Sequence, residues 1–198
     1  GARIAVEEPG DPEARERFAQ AGAALVHMPV DAQGMVVDAR LDACTAVHVT
    51  PSHQVPTAVT MSMPRRRRLL RRAAQLGIVV IEDDRVPESN YLAHAHPALR
   101  SLDDEGNVVY FSSRSRVLGS WLRMGFMVAP APVIDAARKL RGLSTGHPPL
   151  NNQRAVAHYL ALGHYDARAK RLAQEFRRRW TALRDALNHY LHRYVVTS

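Results

Sequence analysis

The run IVVIEDDRVPESNY at residues 78–91 decides the fold. Four β-branched residues stop abruptly at a glutamate and two aspartates, which reads as a strand whose C-terminal end turns polar. Being apolar throughout 78–81, that strand is expected to be buried on both faces. Two comparable endings follow. NVVYFSSRSR at 107–116 passes from apolar residues to Ser and Arg, and VLGSWLRMGFMVAP at 117–130 carries Arg123 seven residues past Arg116. Ligands of open α/β sheets sit outside the strand C-termini. The Asp83–Asp84 pair, the Ser/Arg-rich loop through Ser113, Ser115 and Arg116, and Arg123 are therefore expected to converge on one site.

Working outward, further strands are predicted at 2–7, 23–28, 45–49, 107–111 and 124–128. Helices are predicted at 12–21, 64–76, 132–141 and 153–162, with a long amphipathic one at 165–190. Pro12 and Pro64 suit first helical turns, and Gly22 and Gly77 suit helix ends. Strands alternating with helices give an α/β architecture with a mostly parallel sheet. Residues 1–150 read as a large α/β domain, and the strand-poor 151–198 as a helical crossover into a smaller lobe.

Composition narrows the class. The 198 residues are 46% hydrophobic and 23% charged, ordinary for a folded globular chain. No stretch approaches the roughly 18 consecutive apolar residues of a membrane span. The single Cys44 precludes an internal disulfide and fits a reducing compartment, and the N-terminus has no signal-peptide pattern. A cytoplasmic location is expected. The net charge of +8 raises nucleic acid as a partner. Yet 25 of 27 basic residues are arginine, Lys139 and Lys170 being the exceptions, and the bias is spread along the chain. A solvated basic surface is the simpler reading.

Five phrases in order carry a resemblance: RIAVEEPGDPEARERF (3–18), VHVTPSHQVPTAVTMSMPRRRRLL (47–70), VVIEDDRVPESNY (79–91), NVVYFSSRSRVLGSWLRMGFMVAP (107–130) and GHYDARAKRLAQEFRRRWTALRDAL (163–187). From its first residue to about residue 191 the chain resembles the aminotransferase-like domain of MocR-type (GntR superfamily) transcription regulators. These belong to fold type I of the pyridoxal-phosphate (PLP) superfamily. The resemblance implies a three-layer α/β/α large domain, incomplete here at its N-terminus, and the start of an incomplete smaller lobe. It implies a homodimer with PLP near its interface, and DNA contact only through an N-terminal winged helix-turn-helix absent from this chain.

The resemblance also assigns cofactor positions. Asp83 falls where an Asp pairs with the protonated pyridine nitrogen, Ser113 where a hydroxyl binds phosphate, and Arg123 where a guanidinium does so bidentately. Three positions depart. Arg116 stands at the Schiff-base lysine, and a guanidinium with pKa above about 12 is neither nucleophilic nor deprotonated at neutral pH. Arg85 stands where a Tyr bonds the phenolic oxygen, and Asp11 where an aromatic stacks on the ring. Two readings of what remains stand side by side: a non-catalytic pocket for a small anionic effector, with Arg85, Arg114, Arg116 and Arg123 supplying charge, or drift after loss of function, with those arginines solvated. The opposing reading is a PLP-dependent aminotransferase, supported by Asp83, Ser113 and Arg123.

Weaker signals remain. His53 matches a residue near the cofactor, but a structural loop histidine fits equally well. His94 and His96 lack a third metal ligand nearby, so no metal site is expected. Arg65 to Arg68 with Arg71 and Arg72 lie largely on the polar side of a helix, most simply a solvated face. Phe176 and Trp180 read as packing residues.

Overall fold

The computed structural model describes residues 1–84, 96–113, 115–119, 122, 124–147 and 149–191, with the backbone alone at 115 and 116. Among these residues a seven-stranded sheet runs in the order β3-β2-β1-β4-β5-β6-β7. The strands are β1 Arg3–Glu8, β2 Ala24–Asp31, β3 Gly34–Met35, β4 Ala46–Val49, β5 Val79–Asp84, β6 Val108–Ser113 and β7 Gly125–Val128. β2, β1, β4, β5 and β6 are mutually parallel, and the edge strands β3 and β7 are antiparallel.

Helix α1 (Pro12–Gln20) joins β1 to β2, and α2 (Met63–Leu76) joins β4 to β5. The chain steps outward from β1 in one direction and returns beside it in the other. β1 and β4 therefore flank the point where strand order reverses, the place such sheets open a crevice. The two helices cover opposite faces. Leu69 and Ala73 of α2 pack with Ala5, Val47, Val80 and Val108, while Phe18 of α1 meets His48 on the other side. The result is the expected three-layer α/β/α arrangement.

Local chemistry explains the element ends. Pro12 occupies the first turn of α1, and Asp11 caps it, accepting from Glu13 N at 3.1 Å. Ser62 caps α2, and Gly77 closes it in the left-handed region at φ 64. Short helix α3 (Ser115–Leu118) interrupts the stretch expected as loop. α4 (Ala131–Ser144), α5 (Leu150–Ala161) and α6 (His164–Leu191) follow β7. On α6 Tyr165 is buried, and Phe176 and Trp180 are half-buried.

Two expectations need correction. The strand predicted at 78–81 continues through Asp84, and it is not buried on both faces, because Val79 is 40% exposed. Apolar composition alone does not report what covers a strand. The arginines of α2 are also not uniformly solvated. Arg66 is fully buried, and its guanidinium donates to the carbonyls of Met61 (3.0 Å), Pro97 (3.1 Å) and Pro51 (2.7 Å). It shares the inward stripe of Leu69 and Ala73 at helical spacing.

Candidate functional site

Strand register builds the site. His48 of β4 pairs with Ile81 of β5, and Asp83 of β5 pairs with Phe111 of β6. Side chains two apart on a strand share a face. Asp83 thus stands one step beyond His48 toward the C-terminal edge, and Ser113 one step beyond Asp83. His48, Asp83 and Ser113 form a diagonal across three adjacent parallel strands. His48 Nε2 lies 3.8 Å from Asp83 Oδ2, with both side chains largely withdrawn from solvent. Phe18 meets the imidazole edge-on at 5.4 Å between centroids, fixing the ring. Ser113 Oγ donates to the carbonyl of Met124 at 3.4 Å.

A second polar group lies beside this diagonal, at the ends of β1 and β4. Thr50 Oγ1 donates to buried Glu7 Oε2 at 2.5 Å, and Gln54 Nε2 donates to the same oxygen at 3.3 Å. Gln54 also donates to the carbonyls of Pro9 and Val55 at 2.8 Å and accepts from Thr57. Glu7 Oε1 has no hydrogen-bond partner among the described residues. Burial raises the Glu7 carboxyl above its ordinary value, although the Thr50 hydroxyl opposes this. The network ties the loop after β4 to the end of β1, directly over the strand-order reversal.

The opposite face of β5 points into the interior. Glu82 is fully buried and accepts from the backbone N–H groups of Leu99 at 2.7 Å and Arg100 at 2.9 Å. Burial pushes its carboxyl up to about 7 despite those donors. Asp84 accepts from the Tyr110 hydroxyl at 3.1 Å, and burial pushes that phenol up to about 12. The three acids of the EDD run therefore divide: Asp83 faces the diagonal, whereas Glu82 and Asp84 hold interior partners.

Of the residues singled out from the sequence, Asp83 and Ser113 share the diagonal. His53 is exposed on the loop after β4. Asp11 is buried and caps α1. Arg85, His94, Arg114, Arg123 and the side chains of Ser115 and Arg116 lie outside the described residues. Three participants went unread: His48, Glu7 and Gln54. His48 had a signal, a lone imidazole inside the apolar strand AVHV. Among the described residues no group of three His, Cys, Asp or Glu is placed to hold a metal ion. No described helix is long and apolar enough to cross a membrane.

Comparison with known proteins places this geometry. No family model matches the chain. The HTH-type transcriptional regulator TauR of Rhodobacter capsulatus is 40% identical over 190 residues, covering 94% of this chain and 39% of TauR. The HTH-type pyridoxine biosynthesis transcriptional regulator PdxR of Corynebacterium glutamicum is 32% identical over 186 residues, covering 94% of this chain and 41% of PdxR. Among solved structures, LysN, an alpha-aminoadipate aminotransferase of Thermus thermophilus complexed with N-(5'-phosphopyridoxyl)-L-leucine, superposes at a TM-score of 0.87. It is 28% identical, and the match covers 96% of this chain and 50% of LysN. The chain thus spans well under half the length of the regulators it matches. By sequence and fold, it is the aminotransferase-like part of the MocR/GntR-type regulators.

Proposed function

We propose that this chain is the effector-sensing and dimerising part of a MocR-type transcription regulator, and that its strand-end pocket binds its ligand without catalysing a reaction. Arg116, at the lysine position, carries this reading. Asp83 with His48 behind it suits a protonated ring nitrogen, because a carboxylate held in a partly dry site favours the charged partner. Ser113, at the end of β6, offers a hydroxyl to a phosphate oxygen, and Arg123 and Arg85 add charge. Bound PLP would supply an electron-withdrawing ring. A guanidinium at 116 offers neither a covalent tether nor an amine that carries a proton.

Domain division fits the same reading: residues 1–150 as the large domain, and 151–198 leading into a smaller lobe. DNA contact is assigned to the helix-turn-helix of the full-length regulator and effector sensing to this part, acting as a homodimer in the cytoplasm. The aminotransferase alternative draws support from the retained Asp83, Ser113 and Arg123.

Calorimetry with PLP tests the proposal. One equivalent should bind per chain, at least tenfold more weakly in Asp83→Asn, and borohydride should leave no adduct at residue 116. Absence of binding defeats the pocket. Turnover of an amino acid with PLP defeats the non-catalytic reading.

A further inference from the structure

Helix α2 carries six arginines in fourteen residues and no acid. Three of the six are engaged. Arg65 pairs with Asp31 at 2.9 Å, Arg66 donates to backbone carbonyls, and Arg72 pairs with Asp42. Arg67, Arg68 and Arg71 are exposed and make no hydrogen bond or ion pair to the described residues. Arg68 and Arg71 are not scattered on open surface. With Arg72 and Gln75 they line one wall of a cavity of about 320 Å³, whose other wall is Val37, Asp38 and Ala39.

Positions 68, 71, 72 and 75 are spaced three and four apart, so they form one stripe along the helix. Like charges at that spacing repel, which an anionic occupant would relieve. The acids nearby do not serve. Asp38 is gripped by the Arg40 guanidinium, with contacts of 3.1 and 2.7 Å to its carboxylate. That pairing holds its carboxyl below the ordinary range, with a smaller contribution from the field of Arg68. Asp42 is occupied by Arg72. Among the described residues, Asp38 in the cleft and Asp42 beside it each have their own cation, and the Arg68 and Arg71 guanidinium groups have no carboxylate left to pair with.

We infer that the cleft between α2 and the 3₁₀ turn Ala39–Ala43 is a second ligand site, which takes the phosphate group of a small phosphate ester or diphosphate through Arg68 and Arg71. Guanidinium forks match phosphate oxygens bidentately, and Gln75 adds a neutral polar group. The volume lies at the lower end of the range for small-molecule pockets and exceeds what one phosphate fills. Asp38 in the wall, with Asp42 held by Arg72 beside it, disfavours a continuous phosphodiester strand, which would run past both carboxylates. The site is separate from the strand-end diagonal, because α2 covers the face opposite His48 and Asp83.

Calorimetric titration of the protein with pyrophosphate, at one low ionic strength, tests the assignment. One equivalent should bind per chain in this cleft, beyond any taken up by the strand-end pocket, which substitutions at Arg68 and Arg71 leave intact. Affinity should fall at least tenfold in the double variant Arg68→Gln, Arg71→Gln and stay within twofold in Arg67→Gln, an exposed arginine outside the cavity. Replacing both by Lys should give an intermediate loss, since an ammonium keeps the charge and lacks the fork. Absence of binding, full binding by the double glutamine variant, or an equal loss in Arg67→Gln overturns the inference. So does a duplex DNA that binds through Arg68 and Arg71 while pyrophosphate does not.

Discussion

His48 Nε2 sits 3.8 Å from Asp83 Oδ2, one strand away and one step back along the same face of the sheet. The pair joins a residue whose place was expected to one that no local pattern singled out as a partner. It is held from behind by Phe18, so the imidazole cannot swing clear of the carboxylate without losing an aromatic contact. Truncation should therefore act twice. His48→Ala is expected to lower stability by about 2 kcal/mol, from lost packing under α1, and to weaken pyridoxal-phosphate binding. Urea denaturation reads the first effect and calorimetry the second. A stable variant with unchanged binding removes His48 from the site.

Arg66 is expected to be the most sensitive position in α2. Its guanidinium is buried and satisfies three carbonyls drawn from the loop after β4 (Pro51), the residue before the α2 cap (Met61) and the segment before Leu99 (Pro97). Removing it strands those carbonyls and takes the nearby cation from buried Glu82 and Asp84. Breaking a buried charged network from one side costs about 3–5 kcal/mol, a large part of a typical domain's stability. Arg66→Met should unfold at much lower urea, whereas Arg67→Met, one residue along and exposed, should stay within about 0.5 kcal/mol. Similar losses at both positions would contradict the keystone role.

The contrast shows what was legible in the sequence. β-branched runs marked β5 and β6, and prolines and glycines marked both ends of α1 and α2, because these signals are local. Arg66 looked like its neighbours in the run RRRR, yet its spacing to Leu69 and Ala73 placed it on the inward stripe. That signal was present and was outweighed by charge. Glu82 was different. Its partners are backbone N–H groups 17 and 18 residues ahead, and nothing local announces a carboxylate satisfied by a distant turn. His48 likewise needed strand order and register before it could be set beside Asp83.

Gly10 is required by close approach. A Cβ there would lie 2.2 Å from the Glu7 carbonyl oxygen, far inside contact distance, and backbone cannot yield as a flexible side chain does. The turn that leads from β1 to α1 would have to shift, dragging Pro9, whose carbonyl accepts from Gln54. Gly10→Ala is expected to cost upwards of about 2 kcal/mol. Gly77→Ala, where only the left-handed backbone is at stake and nothing crowds the site, should cost about 1 kcal/mol. Thermal melts of the two variants should rank in that order.

Glu82 should leave a mark on the pH dependence of stability. Its carboxyl is pushed from 4.5 up to about 7 in the folded chain, chiefly by burial. A raised carboxyl means that the folded state holds the proton more tightly than the unfolded state. Its favourable contribution is full below about pH 4.5 and is lost as the pH climbs to about 7, a change on the order of 3 kcal/mol. Glu7, also raised by burial, acts in the same direction. Asp31 and Asp38 are lowered by their arginines and act oppositely, but only below the ordinary carboxylate range, outside this window. Unfolding free energy from urea titrations should therefore fall between pH 5 and pH 7 on these grounds. Glu82→Gln cannot ionise, so the fall should flatten to the part that Glu7 leaves. The variant should also be less stable at pH 5, because its amide NH₂ confronts one of the two backbone N–H groups that the carboxyl oxygens accept from. An unchanged slope in Glu82→Gln would show that this buried acid does not titrate in the window.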